Sequence, residues 1–152
     1  MKKILVSRCL TGECCRYDGK DNLVPEIREM AERGIAVPVC PEVLGGLPTP
    51  RTPSEIRGDR VVMRDDTDVT ENFRQGAERA MAIGRKQGCV CAVTKANSPS
   101  CGCGMVYDGT FTGKLVPGDG LLVRLLKETG ISVCTEKDDW KSFIREIVEE
   151  EG

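Results

Sequence analysis

Short apolar runs alternate along this chain with longer stretches in which apolar residues recur every three or four positions. Lys3 to Ser7 reads as a buried strand, followed by an irregular segment from Arg8 to Asn22. Pro25, Ile27, Met30 and Ala31 mark an amphipathic helix that Gly34 ends. Ile35 to Val39 is a second strand, and Pro38 suggests an edge or terminal place for it. A loop rich in Pro and Gly extends from Pro41 to about Gly58, and Val61-Val62-Met63 suggests a short strand. Asp68 and Glu71 resemble a helix start, after which Phe73, Ala77, Ala80, Met81 and Gly84 keep helical spacing as far as Gly88. Cys89 to Thr94 is nearly continuous in apolar residues, as expected of a central parallel strand. Asp108-Gly109 predicts a hairpin-like turn. A helix from about Gly120 to Glu128, a strand at Ile131-Ser132-Val133 and a terminal helix facing inward through Trp140, Phe143, Ile144 and Ile147 complete the pattern. Glu146, Glu149, Glu150 and Glu151 read as the solvated end of that helix. The alternation predicts an α/β fold: a single compact domain over residues 1–152, with a mostly parallel sheet flanked by helices (Rossmann-like).

At 152 residues the chain can bury roughly 68–70% of its unfolded surface without covalent staples. A formal charge of −2 gives no bulk attraction to nucleic acid, and six aromatic residues are too few for a base-stacking platform. The apolar run after Met1-Lys2-Lys3 is too short for a secretory segment, and no stretch approaches a membrane span. These features suggest a cytoplasmic protein with neither nucleic-acid nor membrane partners. Two counts change the picture. Nine Cys, an odd number, point in a reducing compartment to metal binding or thiol chemistry rather than disulfides. The absence of His removes Cys₂His₂ zinc sites and every Ser-His or Cys-His nucleophile pair. Acid–base work falls to carboxylates, Lys, Tyr or thiols.

Ligands of open α/β sheets bind beyond the carboxyl ends of the strands. Here the first strand runs into Cys9, the second into Cys40-Pro41-Glu42, and the third into Lys95-Ala96-Asn97-Ser98-Pro99-Ser100-Cys101-Gly102. Cys9, Cys40 and Cys101 therefore share one rim. Three thiolates gathered without a cation repel one another, and a soft metal resolves the conflict. Cys89 and Cys91, inside a strand, read as small buried hydrophobes.

Several separated motifs carry a family resemblance: Ser7-Arg8-Cys9-Leu10-Thr11-Gly12, Arg16-Tyr17-Asp18-Gly19, Cys40-Pro41-Glu42-Val43-Leu44-Gly45-Gly46-Leu47, Pro50-Arg51 and Ser98-Pro99-Ser100-Cys101-Gly102. In this order, over roughly residues 3 to 135, they resemble the thiouracil desulfidase family. The resemblance implies a compact α/β domain with an oxygen-sensitive 4Fe–4S cluster held by Cys9, Cys40 and Cys101 alone. It further implies a non-redox desulfuration of a thiopyrimidine such as 2-thiouracil, or a related thioamide. The fourth iron takes the substrate sulfur, water attacks the carbon, and sulfide is released. Cluster-assembly machinery would be a transient partner. With no His, Glu42 is the first choice for the base that deprotonates water, and Ser98 and Ser100 are candidates to hydrogen-bond substrate or intermediate, with Ser98 slightly favoured. Arg51 either contacts the pyrimidine from a stiff loop or is solvated or ion-paired. Arg16-Tyr17-Asp18-Gly19 is expected to order the Cys9 loop.

The remaining thiols leave alternatives open. Cys103, in Cys101-Gly102-Cys103, could replace Cys101 as ligand; Cys14-Cys15 is a thiol relay, a sulfur acceptor or neither; Cys134, following a strand, could lie on the same rim. A fourth thiol ligand would close the open iron. The competing functions are a sulfur- or cluster-transfer protein and a structural zinc domain.

Overall fold

The computed structural model describes residues 2–151, with side chains at 149–151 outside that description; Glu149, Glu150 and Glu151 therefore lie outside it, while Glu146 is exposed. Four parallel strands form the sheet: β1 (Lys3–Ser7), β2 (Ala36–Val39), β5 (Cys89–Thr94) and β8 (Ser132–Thr135), in the order β2-β1-β5-β8. Alternation along β1 divides the core between the two faces. Ile4 and Val6 pack with Cys91 and Val93 against α1 (Pro25–Glu32) and α5 (Trp140–Glu151). Leu5 and Ala92 pack on the opposite face against α3 (Thr70–Gln87) and α4 (Leu121–Glu128). β2 lies at the sheet edge with Pro38 exposed, as its proline predicted.

The chain leaves β1 for β2 on one side of the sheet and then crosses to β5 on the other side of β1. That reversal opens a crevice between the carboxyl ends of β1 and β5, the usual ligand position in such sheets. The Pro- and Gly-rich segment beyond β2 is more ordered than its composition suggests. It contains the single-turn helix α2 (Pro41–Leu44) and strand β3 (Ser54–Arg57), which pairs antiparallel with β4 (Arg60–Met63). The Asp108-Gly109 turn joins β6 (Met105–Tyr107) to β7 (Leu115–Pro117), so its loop is longer than a two-residue hairpin.

Two backbone contacts position the crevice. A side chain at Gly76 of α3 would collide with the Pro41 carbonyl, and one at Gly45 with the Asn72 carbonyl. Asn72 Nδ2 and Arg79 Nη1 donate to the carbonyls of Gly45 and Leu44 at 2.9 and 2.5 Å. α2 is thereby held flat on α3. On the β5 side, the N–H groups of Gly120, Leu121 and Leu122 donate to the carbonyls of Gly102, Pro99 and Ser100 at 2.8, 3.0 and 3.0 Å, fastening the 98–102 turn to the start of α4.

The Gly76 contact yields a stability prediction. Gly76→Ala should destabilise the protein by about 1–3 kcal/mol, despite the better helix propensity of Ala, because overpacking forces α2 away from α3. Chemical denaturation measures it, and unchanged or increased stability would refute the close-packed contact.

Candidate metal centre and its acid–base flank

A cavity of about 480 Å³ opens at the crevice, and Cys9, Cys40, Glu42, Ser98, Ser100 and Cys101 all line it. The sequence places them far apart; the sheet brings them together. Cys9 sits in a short 3-10 turn (Arg8–Thr11) directly after β1, and Cys40 directly after β2. Cys101 closes the turn after β5, where Ser98 Oγ accepts the N–H groups of Ser100 and Cys101 at 3.1 and 3.0 Å.

The Arg16-Tyr17-Asp18-Gly19 turn orders the Cys9 loop through an intermediary. Arg16 pairs with Asp18 at 2.9 Å and donates to Asn22 Oδ1 at 2.9 Å. The Asn22 amide, thus oriented, donates Nδ2–H to Cys9 Sγ at 3.3 Å. Asn22 was not singled out in the sequence, because its role depends on the path of a twelve-residue loop rather than on local spacing.

Cys15 is the second residue that sequence reasoning left unresolved. Its buried thiol is the largest influence on the acidities of both Cys9 and Cys40, whose Sγ also reaches the Cys15 carbonyl at 3.9 Å, whereas Cys14 is exposed. The Cys14-Cys15 pair is therefore divided between solvent and site. These contacts set the thiol acidities. The Cys15 thiol holds Cys9 below its usual range, and it draws Cys40 down to about 6 against opposing desolvation. As the donor, Cys15 itself is pushed strongly upward. Burial pushes Cys101 up to about 12, partly offset by the hydroxyls of Ser7 and Ser100. The charges of Cys9 and Cys40 raise it further, so the three sulfurs feel one another across the cavity.

The other thiols lie elsewhere. Cys134, a possible rim residue from the sequence, sits inside β8 and packs in the core between the sheet and α1 and α5. The strand runs two residues beyond the expected end at Val133, which draws Cys134 into the core. Cys103 points toward the Val133 carbonyl and Lys127, and it does not line the cavity. All nine cysteines are free.

Glu42 occupies the wall between Cys40 and the 98–101 turn. Its Oε1 accepts from Arg51 Nε at 3.0 Å and its Oε2 from Ser100 Oγ at 3.0 Å. Ser100 Oγ lies 3.0 Å from Ser98 Oγ. Because the carboxylate can only accept, the hydroxyl protons run from Ser98 to Ser100 to Glu42. Arg51, with its side chain only 3% exposed, is ion-paired with Glu42 and also lines the cavity. It also donates to the Cys15 carbonyl at 2.9 Å, tying the acid–base flank to the thiols.

The donor set fits a cluster better than one ion. Among the described residues no group of three or more His, Cys, Asp or Glu is gathered tightly enough to hold a single metal ion. Three mutually repelling thiols spaced around a cavity instead suit several iron atoms sharing the negative charge.

Residues 4–138 match the family model for 2-thiouracil desulfurase. The chain is similar to the uncharacterized protein YbbK of Bacillus subtilis (strain 168), with 40% identity over 145 residues, spanning 89% of this chain and 96% of that protein. Its structure is similar to that of the [4Fe-4S]-dependent thiouracil desulfidase TudS, with a TM-score of 0.87 and 41% identity, covering 93% of this chain and 95% of the other.

Thiol alkylation tests the electrostatics of the cavity. In metal-free protein the reaction of Cys40 with iodoacetamide should rise through a midpoint near pH 6, since the thiolate dominates above its pKa. Mass spectrometry of the alkylated peptide reads this. Cys15→Ala should move the midpoint upward, and a wild-type midpoint at the ordinary value of about 8.5 would contradict the Cys15 contact.

Proposed function

This chain belongs to the 2-thiouracil desulfurase family, and on that footing we propose that it is a desulfidase that removes the sulfur of a thiolated pyrimidine such as 2-thiouracil. In this reading residues 1–152 form one functional domain, in which Cys9, Cys40 and Cys101 hold a [4Fe–4S] cluster. The observation that carries the reading is the convergence of these thiols and the Glu42–Ser100–Ser98 chain on one cavity. When bound there, the cluster would supply Lewis acidity that polarises the thiocarbonyl and makes its carbon more electrophilic.

The chain's own residues supply the rest. Arg51 fixes Oε1 of Glu42 and leaves Oε2 turned to the serines. Oε2 takes a proton from the attacking water, directly or through Ser100, whose hydroxyl gives one proton to Glu42 as it accepts another. The water oxygen bonds to carbon, the carbon–sulfur bond breaks, and the protons leave with the sulfur as hydrogen sulfide. Water and thiocarbonyl become carbonyl and sulfide, with no oxidant or reductant consumed. Ser100 is the better-placed serine, because Ser98 Oγ is already engaged by two backbone N–H groups. Nine free thiols and an oxygen-sensitive cofactor suit a cytoplasmic role in sulfur metabolism, with cluster-assembly machinery as a transient partner.

Three results test this. Anaerobically purified protein should hold about four irons per chain; Cys101→Ala should lose them, while Cys103→Ala and Cys15→Ala keep them. Iron lost from Cys15→Ala but not from Cys101→Ala would assign the ligands differently. The loaded protein should release sulfide from 2-thiouracil, and none from any thiopyrimidine would favour a transfer role. Glu42→Gln should keep its iron while kcat falls by about 10²–10⁴-fold; an unchanged kcat would remove Glu42 as the base.

A further inference from the structure

Glu55, on β3, lines the same cavity and has no part in the steps above. It is 9% exposed. Its Oε1 accepts the N–H groups of Gly109 and Phe111 at 3.0 and 3.1 Å. Its Oε2 makes no hydrogen bond among the described residues, and no Lys or Arg among them lies within ion-pairing distance. Oε2 stays accessible and can accept a further donor.

What surrounds it points to the donor. The loop that Glu55 holds is also clamped by Arg57, whose Nε and Nη2 donate to the Gly109 carbonyl at 3.1 and 2.8 Å. Within it Phe111 adopts φ 59, a left-handed conformation that a bulky residue holds only when its surroundings impose it. The Arg64 guanidinium lies 5.8 Å over the Phe111 ring. Tyr17, Tyr107 and Phe111, half of the chain's six aromatic residues, line this one cavity. Flat walls beside one unpartnered acceptor suit a planar heterocycle bearing an N–H. In a cyclic thioamide the N–H is bonded to the thiocarbonyl carbon, so one anchor there orients the reacting bond.

We propose that Glu55 is a specificity-determining residue whose Oε2 accepts the ring N–H of the substrate, so that the site selects thiopyrimidines with a free ring N–H. This rests on the desulfidase reading for the identity of the heterocycle. Glu55 acts on binding and orientation, and Glu42 on the proton of water.

Calorimetric titration of the iron-loaded protein with uracil and 1,3-dimethyluracil tests it without turnover. Wild-type protein should bind uracil about ten- to hundredfold more tightly than the dimethyl compound, the worth of a hydrogen bond to a charged acceptor. Glu55→Gln keeps a carbonyl for Gly109 and Phe111 but turns an N–H₂ into the cavity. It should bind uracil weakly by the same factor and lose its preference over the dimethyl compound. Equal uracil affinity in wild type and Glu55→Gln would overturn the assignment. If the variant does not fold, the wild type decides alone: equal affinity for the two ligands overturns the assignment, and the stated preference supports it. A protein that shows the preference and its loss in Glu55→Gln, yet releases no sulfide from 2-thiouracil, would contradict the desulfidase reading and leave the Glu55 contact standing.

Discussion

The charge of Cys40 opposes ionisation of Cys9, those of Cys9 and Cys40 oppose ionisation of Cys101, and the fold holds all three at one cavity. Parallel strands deliver the first two at the ends of β1 and β2, and the turn after β5 delivers the third. Without a cation the conflict is settled by protons: Cys15 shares its thiol with Cys9 and Cys40 while Cys101 stays protonated by burial. With several iron atoms in the cavity the same repulsion becomes attraction to metal. The rest of the structure works to keep that geometry fixed.

Backbone contacts do most of that work. α2 is too short to stand alone, and it carries Cys40 at its start and Glu42 within it. Its position comes from Gly76 and Gly45, where α2 and α3 meet without intervening side chains. The turn bearing Ser98, Ser100 and Cys101 is set by three N–H groups from the beginning of α4. Arg51 then connects the two halves, reaching the Glu42 carboxylate and the Cys15 carbonyl from one guanidinium. The positions of the thiols and of the Glu42 carboxylate are consequently coupled, so a change at Arg51 would disturb both.

The parallel sheet, the helices on both its faces, the edge position of β2 and the strand-end cysteines were legible because each rests on local periodicity or on where a strand stops. What escaped the sequence depends on contacts between distant segments. α2 and β3 lie in a stretch whose Pro and Gly content suggests only loop, and they are ordered by packing on α3 and by pairing with β4. Whether Cys134 joins the rim was open in the sequence, and two further residues of strand pairing bury it in the core. Cys15, Asn22 and Glu55 acquire their partners from loop paths that carry no spacing signature. Arg51 was left between a pyrimidine contact and a solvated or ion-paired state, and only the position of Glu42 reveals the ion pair.

The central claim is that three thiols hold four irons and leave one iron open to the substrate. Mössbauer spectroscopy of ⁵⁷Fe-loaded protein, recorded with and without 2-thiouracil, addresses it at the metal itself. One iron should be distinct from the other three and should change its parameters alone when the substrate is added. Four equivalent irons, unaffected by 2-thiouracil, would show a closed cluster and contradict the account.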